Sequence, residues 1–188
     1  MRNHGAARGG LHSEQMIRVL VSSCLLGEAV RYHGGDARCE SGVLDRWRAE
    51  GRLVPICPET AAGLPVPRPP AEIAGGDGGA VLRGQAQVGD GMGVDVTAAF
   101  LRGARATLDI AIAKGARLAI LKDGSPSCAT TYIHDGSFRA QRDPGMGVTA
   151  AMLAQAGIRL FNERQLEEAA RFLEALESEG EPGAFNPL

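Results

Sequence analysis

Apolar positions along the chain repeat with two different periods, and their alternation predicts the elements. Ile17 to Leu26 is a near-continuous apolar run, the pattern of a strand buried on both faces of a parallel sheet. Ser41 to Glu50 carries Val43, Leu44 and Trp47 at helical spacing, with Ser41 placed to cap it, and Arg52 to Glu59 reads as a second strand ended by Pro58. Val94 to Lys114 is the clearest helix: Thr97, Leu101, Ala104, Leu108 and Ala111 recur at steps of three and four, between a capping Asp95 and a terminating Gly115. A third strand, Arg117 to Lys122, follows directly, so this helix is a crossover returning the chain to a parallel sheet. Thr149 to Ala156 forms a further helix stopped by Gly157, Ile158 to Phe161 a fourth strand, and Asn162 with Gln165 a capping box for a last helix striped by Leu166, Ala169, Leu173 and Leu176. This succession predicts an α/β domain spanning residues 17–178, preceded by a disordered leader over 1–16 and followed by a fraying tail over 179–188.

The less periodic stretches carry the chemistry. Arg31 to Glu40 gathers His33, Asp36 and Cys39, but their spacing matches no zinc pattern and a solvated loop is expected. Gly63 to Pro70 is forced into an extended, polyproline-like path by its prolines and glycines, which either walls a pocket and fixes Arg68 or is a stiff connection. Gly75 to Gly93 is glycine-rich with a short alternation around Val81 to Val88, the mark of a hairpin or a mobile flap. Gly145 to Val148 repeats Gly91 to Val94, each copy standing before an alanine-rich helix. Such a pair either offers helix N–H groups to an anionic or polar substrate or is a simple helix entry. The dinucleotide fingerprint and the P-loop are both missing from the sequence.

Composition narrows the function classes. The 188 residues carry a formal charge of only −2 and 4% aromatic residues, which disfavours a nucleic-acid binder relying on phosphate neutralisation or base stacking. No apolar run approaches the roughly 18 residues that span a bilayer, so no membrane association is expected and a cytoplasmic setting follows. The cysteines stand at 24, 39, 57 and 128 without a CxxC pair. In a cytosolic chain they are buried thiols, a reactive thiol, or ligands of a metal or cluster. Cys24, Cys57 and Cys128 each sit where an apolar run ends or just beyond it, at the strand ends where open α/β sheets place their chemistry, and packing alone gives no reason for that preference.

Several motifs then occur in order: Cys24-Leu25-Leu26-Gly27, Arg31-Tyr32, Cys57-Pro58-Glu59, Gly63-Leu64-Pro65, Pro67-Arg68-Pro69-Pro70, Asp95-Val96-Thr97, Ile120-Leu121-Lys122, Ser125-Pro126-Ser127-Cys128 and Asp135-Gly136. Together they resemble the thiouracil desulfidase family over about residues 17–168. The resemblance implies a single Rossmann-like, three-layer α/β domain with a mostly parallel sheet, carrying a 4Fe-4S cluster on three cysteines, here Cys24, Cys57 and Cys128. Cys39 lies outside the motifs. Three ligands for four irons leave one iron open, suited to the soft sulfur of a thionated nucleobase-like small molecule, whose sulfur water then replaces without net electron transfer. The reaction asks for a base and for a donor to the ring. Glu59, two residues past Cys57, is the candidate base, and Ser125 the candidate hydroxyl relay. Ser23, Arg31, Arg68 and Ser127 are candidate substrate contacts. Ser125 and Ser127 also suit plain turn chemistry beside Pro126.

Two rival classes use the same residues. One is a metal-thiolate protein in which the three cysteines, with Cys39 or His33, hold zinc in a structural role. The other is a non-catalytic binder of a thionated metabolite or of sulfide.

Overall fold

Val19, Leu20 and Val21 are fully buried at the centre of the molecule, in strand β1 (Arg18–Ser22). In this computed structural model residues 16–178 are described; the expected tail, and the expected leader apart from Met16, lie outside the described residues. β1 is flanked by β2 (Leu53–Ile56) and β5 (Ala116–Leu121), and β8 (Arg159–Asn162) pairs with β5, giving a four-stranded parallel sheet in the order β2-β1-β5-β8. The prediction of a strand through Leu26 is corrected. The chain leaves the sheet at Ser22 and tightens into one 3₁₀ turn, Ser23–Leu26, closed by Gly27 in the left-handed region at φ 91°.

Side chains alternate across a strand, so β1 feeds two cores. Val19 and Val21, with Leu118, Ile120 and Phe161, pack against Trp47 of α1 (Gly42–Ala49) and Leu166, Ala169 and Leu173 of α6 (Leu166–Ser178). Leu20, Ala119 and Leu121 pack on the other face against Leu108 and Ala111 of α4 (Thr97–Ala113) and Ala150 and Leu153 of α5 (Val148–Gln155). Helices on both faces of a parallel sheet make the three-layer α/β architecture. Ser41 caps α1 as expected, its Oγ accepting from Val43 N. The other two expected caps are corrected: Asp95 takes Thr97 N on its Oδ1 but stands one residue before the α4 N-cap, Val96, and Gln165 Oε1 takes Asn162 N at the end of β8, ahead of an α6 that starts only at Leu166.

The glycine-rich stretch is more ordered than a flap. β3 (Ala71–Ala74) and β4 (Gln87–Asp90) form an antiparallel pair whose connection contains a short helix, α3 (Gly78–Leu82), capped by Asp77 Oδ1 on Ala80 N at 3.0 Å. Ile73, Ala80, Val81 and Val88 close a third cluster with Phe100 and Ile133. A second antiparallel pair, β6 (Tyr132–His134) with β7 (Arg142–Pro144), has only three residues a side and no alternating run long enough to read from sequence. Between β2 and β3 lies a single turn of helix, α2 (Pro58–Ala61).

Candidate functional site

The carboxyl ends of β1, β2 and β5 lie level, with Ser22 opposite Ile56 and Val21 opposite Ile120. The chain leaving each strand therefore meets at one edge of the sheet, and each exit carries a cysteine. Cys24 sits in the 3₁₀ turn after β1, where its carbonyl takes the N–H groups of Gly27 and Ala37 at 3.2 and 3.0 Å. Cys57 is the N-cap of α2, with Pro58 at the first helical position, where a missing N–H costs nothing. Cys128 follows β5 through a loop in which Ser125 Oγ accepts from Ser127 N and Cys128 N at 3.1 and 3.2 Å. All three line one cavity of about 540 Å³, and none is in a disulfide.

Two glycines explain why these loops seat where they do. In α4 a side chain at Gly103 would place its Cβ 2.2 Å from the carbonyl oxygen of Pro58, so the helix has to be bare there for the Cys57 turn to rest on it. At the entry of α5, a Cβ on Gly147 would meet the backbone carbon of Ser127 at 2.4 Å. The α5 terminus is occupied by the chain itself: Val148 N donates to Pro126 O at 2.8 Å, and Thr149 N and Ala150 N to Ser127 O at 2.9 and 3.1 Å. The Gly145 to Val148 motif is thus a cradle for the Cys128 loop. It is not an anion site, because its N–H groups are already spent on carbonyls.

Burial sets the character of the thiols. It pushes Cys24 up to about 11, with Cys57 adding to the rise and Arg31 and Lys122 opposing it. It pushes Cys128 well above the ordinary thiol range, against the Ser22 hydroxyl and together with Cys24, Cys57 and Glu59. Two buried thiols raised in this way need a cationic partner to become thiolates, and at Cys24 Arg31 and Lys122 supply only part of it. Among the described residues no group of three or more His, Cys, Asp or Glu is arranged to hold a single metal ion. A cluster takes one thiolate per iron, so its ligands ring a space instead of converging on one point. Soft, unpaired thiols around one cavity are the donor set such a cluster requires.

The remaining predicted residues divide. Glu59 lines the cavity and is paired with Arg68, whose Nη2 and Nε lie 2.6 and 2.8 Å from Glu59 Oε2, the two side chains being 14% and 7% exposed. Arg68 is pinned further by its contacts to Pro65 O and Val30 O, both at 3.1 Å, so the proline-rich segment is a pocket wall. Ser23, Arg31 and Ser125 also line the cavity, and among the described residues the Arg31 guanidinium makes no hydrogen bond or ion pair. Ser127 does not line it: the side chain is buried, with Oγ unpartnered among the described residues, and it drops out as a substrate contact. Cys39 also stands off the cavity, its thiol 3.9 Å from Glu163 O, and His33 and Asp36 are exposed in the loop as expected.

Sequence reasoning missed the floor beside β5. Lys122 Nζ pairs with Glu163 Oε1 at 2.6 Å, and Lys122 N donates to Ser22 Oγ at 3.1 Å, tying two of the strand ends together. Asp123 is 3% exposed; it accepts from Thr130 N and Thr131 N, both at 3.0 Å, from the Thr131 hydroxyl, and from Arg164 Nη2 at 2.9 Å. Burial raises its carboxyl, but these hydrogen bonds outweigh burial and hold it below the ordinary range. The signal was present as a charged pair, Lys122-Asp123, at the end of an apolar strand and ahead of a glycine. Glu72, His134 and Phe138, which also line the cavity, carried no such signal.

Comparison with known proteins agrees with this geometry. A family model described as 2-thiouracil desulfurase matches residues 19–165. A Bacillus subtilis (strain 168) protein, YbbK, described as uncharacterized, is 43% identical over 150 residues, covering 80% of this chain and 98% of its own length. A solved structure described as the 4Fe-4S-dependent thiouracil desulfidase TudS superposes with a TM-score of 0.77 at 44% identity, over 85% of this chain and 99% of that one. A match over most of the chain, on a cavity ringed by three strand-end cysteines, makes this protein a member of the 2-thiouracil desulfurase family.

Proposed function

We propose that the protein is a desulfidase that replaces the thiocarbonyl sulfur of a thionated, nucleobase-like small molecule by oxygen from water and releases sulfide. The observation that carries this reading is the meeting of Cys24, Cys57 and Cys128 around one cavity, in a chain 44% identical to a 4Fe-4S-dependent thiouracil desulfidase. The same three thiols would hold the cluster, with Arg31 and Lys122 offsetting part of the cost of ionising Cys24. When bound, a cluster with three protein ligands supplies a thiophilic iron with a vacant position for the substrate's sulfur.

The chain's own residues supply the rest. Glu59 borders the cavity from the first turn of α2, two residues past Cys57, and is positioned to take a proton from the attacking water. Arg68 fixes that carboxylate through one of its oxygens, holding its orientation while water approaches. Ser125 Oγ accepts two backbone N–H groups, which orients its own O–H as a donor toward a substrate atom at the cavity edge. Arg31, which lines the cavity and has no ion-pair partner among the described residues, is a cation available to charge that develops on the ring as the carbon becomes tetrahedral. Ser23 borders the same space next to Cys24. Residues 17–178 act as one catalytic domain. A cytoplasmic setting suits its four unpaired cysteines, and among the described residues no helix is long and apolar enough to cross a membrane.

The test is anaerobic reconstitution followed by assay with 2-thiouracil. A broad visible iron-sulfur band, iron content near four per chain and stoichiometric uracil and sulfide are expected. Bound zinc in place of iron, or thiouracil binding with no sulfide released, would return the protein to a structural or binding role.

A further inference from the structure

One wall of the cavity has no part in the chemistry above: the hairpin of β6 and β7, which contributes His134, Phe138 and Ala140. His134 Nδ1 is buried and has no hydrogen-bond partner among the described residues. A buried N–H with no acceptor is the costlier of the two orphan states, so the neutral ring carries its hydrogen on Nε2. Among the described residues Nε2 makes no hydrogen bond and is not one of the buried orphan atoms, so that donor stays open on a ring that lines the cavity. The ring is held edge-on to Tyr132, centroids 6.4 Å apart, and Tyr132 is covered in turn by Arg142 at 4.5 Å.

Phe138 is 43% exposed although it is a large apolar residue, and its φ of 57° is a left-handed conformation that bulky side chains rarely adopt. Such strain persists only where neighbours hold it, and here the Phe138 N–H is anchored by Glu72 Oε2 at 2.9 Å, from β3 across the cavity wall. The backbone is thus spent on presenting an aromatic ring at the cavity mouth.

We propose that His134 and Phe138 form the subsite for the substrate's ring. Phe138 stacks on the face of a planar heteroaromatic thione, and His134 Nε2–H donates to a second acceptor on its edge, a carbonyl oxygen or an unprotonated ring nitrogen. The pair selects flat rings with an acceptor besides the thiocarbonyl, such as oxo-thiopyrimidines, over acyclic thioamides. This inference rests on the desulfidase reading for its ligand class, so its test includes binding without turnover. Uracil, which has no sulfur to lose, is titrated calorimetrically into cluster-loaded wild type, His134→Leu, His134→Gln and Phe138→Leu, and 2-thiouracil and thioacetamide are assayed in parallel. Loss of one hydrogen bond or one stacking face should weaken uracil binding and raise KM for 2-thiouracil about 10-fold in the Leu variants. Their kcat should stay within about 3-fold, and His134→Gln, which keeps an N–H donor, should recover most of the loss. The ratio of kcat/KM for 2-thiouracil to that for thioacetamide should fall in both Leu variants. Wild-type affinity for uracil in folded His134→Leu and Phe138→Leu would overturn the subsite while leaving desulfurisation standing. Uracil binding that depends on both residues in a protein with no desulfidase activity would sustain the subsite and sink the reaction.

Discussion

Glu59→Gln separates the two roles open to this carboxylate, a reacting base and one half of a buried ion pair. The side chain is 14% exposed and its Oε2 receives Arg68 at 2.6 and 2.8 Å. Glutamine keeps the size and still accepts from Arg68, so a charge-assisted bond becomes a neutral one at a cost of about 1 kcal/mol. For a domain of this length that lowers Tm by about 3 °C. Arg68→Met is the harsher change for stability: it strands the carboxylate without its cation, worth about 3 kcal/mol at the low end of the buried-pair range because cavity water lies alongside. If Glu59 takes the proton, turnover of 2-thiouracil in Glu59→Gln falls about 100-fold or more, equivalent to about 2.7 kcal/mol of transition-state stabilisation. Iron content and the visible spectrum should be unchanged, since the three thiolates are untouched. The assay is steady-state sulfide release, normalised to iron, beside thermal melts of both variants. Turnover within about 3-fold of wild type in fully loaded Glu59→Gln would refute the base role and leave Glu59 as the anchor of Arg68.

Cys39→Ser should retain iron and activity, because Cys39 faces Glu163 away from the cavity; iron loss matching that of Cys24→Ser would make it a fourth ligand and close the open-iron site. Gly147→Ala should destabilise by about 1–3 kcal/mol and lower iron retention, since its Cβ would meet Ser127 backbone at 2.4 Å and the loop that must give way carries Cys128; a melt and an iron assay read both. Asp123 has a folded pKa held below its unfolded value of about 3.9, so its contribution is fully present above that value and is lost as pH falls through the folded pKa. Asp123→Asn should therefore be less stable by about 3 kcal/mol at pH 7 and show a shallower acid limb in denaturant titrations between pH 7 and 2, whereas parallel acid limbs would contradict the assignment.

The layers of the fold were legible because each buried strand of the sheet and each long helix has a period that only one structure satisfies. Leu20 facing α4 and α5 while Val19 and Val21 face α1 and α6 is the physical content of the near-continuous run from Ile17. The three thiols were legible for a related reason: a parallel sheet aligns its strand ends, so cysteines far apart in the chain share an edge. The small hairpins were not. β6 and β7 offer three residues each, and the connection between them is fastened at Phe138 by Glu72 of β3, a contact no local pattern encodes. Ser127 went astray because the residues flanking Pro126 look alike in sequence. Ser125 caps the turn and borders the cavity, whereas Ser127 is turned under by the N–H groups of α5.

The loops bearing Cys57 and Cys128 meet helices backbone to side-chain-free backbone, and this bears on how well the site can hold its geometry. Gly103 sits in the interior of α4, where glycine costs about 1 kcal/mol relative to alanine in helix propensity. That cost is offset by letting the Pro58 carbonyl settle onto the helix, where a methyl group would stand 2.2 Å from its oxygen. Gly147 does the same for the Cys128 loop, and there three successive α5 N–H groups fasten the loop's carbonyls. Two of the thiols are thus referenced to the rigid helices α4 and α5 on one face of the sheet, whereas Cys24 is referenced to β1 itself through its 3₁₀ turn. A site held in this way keeps its spacing, and the rest of the cavity wall is fastened separately, the proline-rich segment through Arg68 and the hairpin through Glu72.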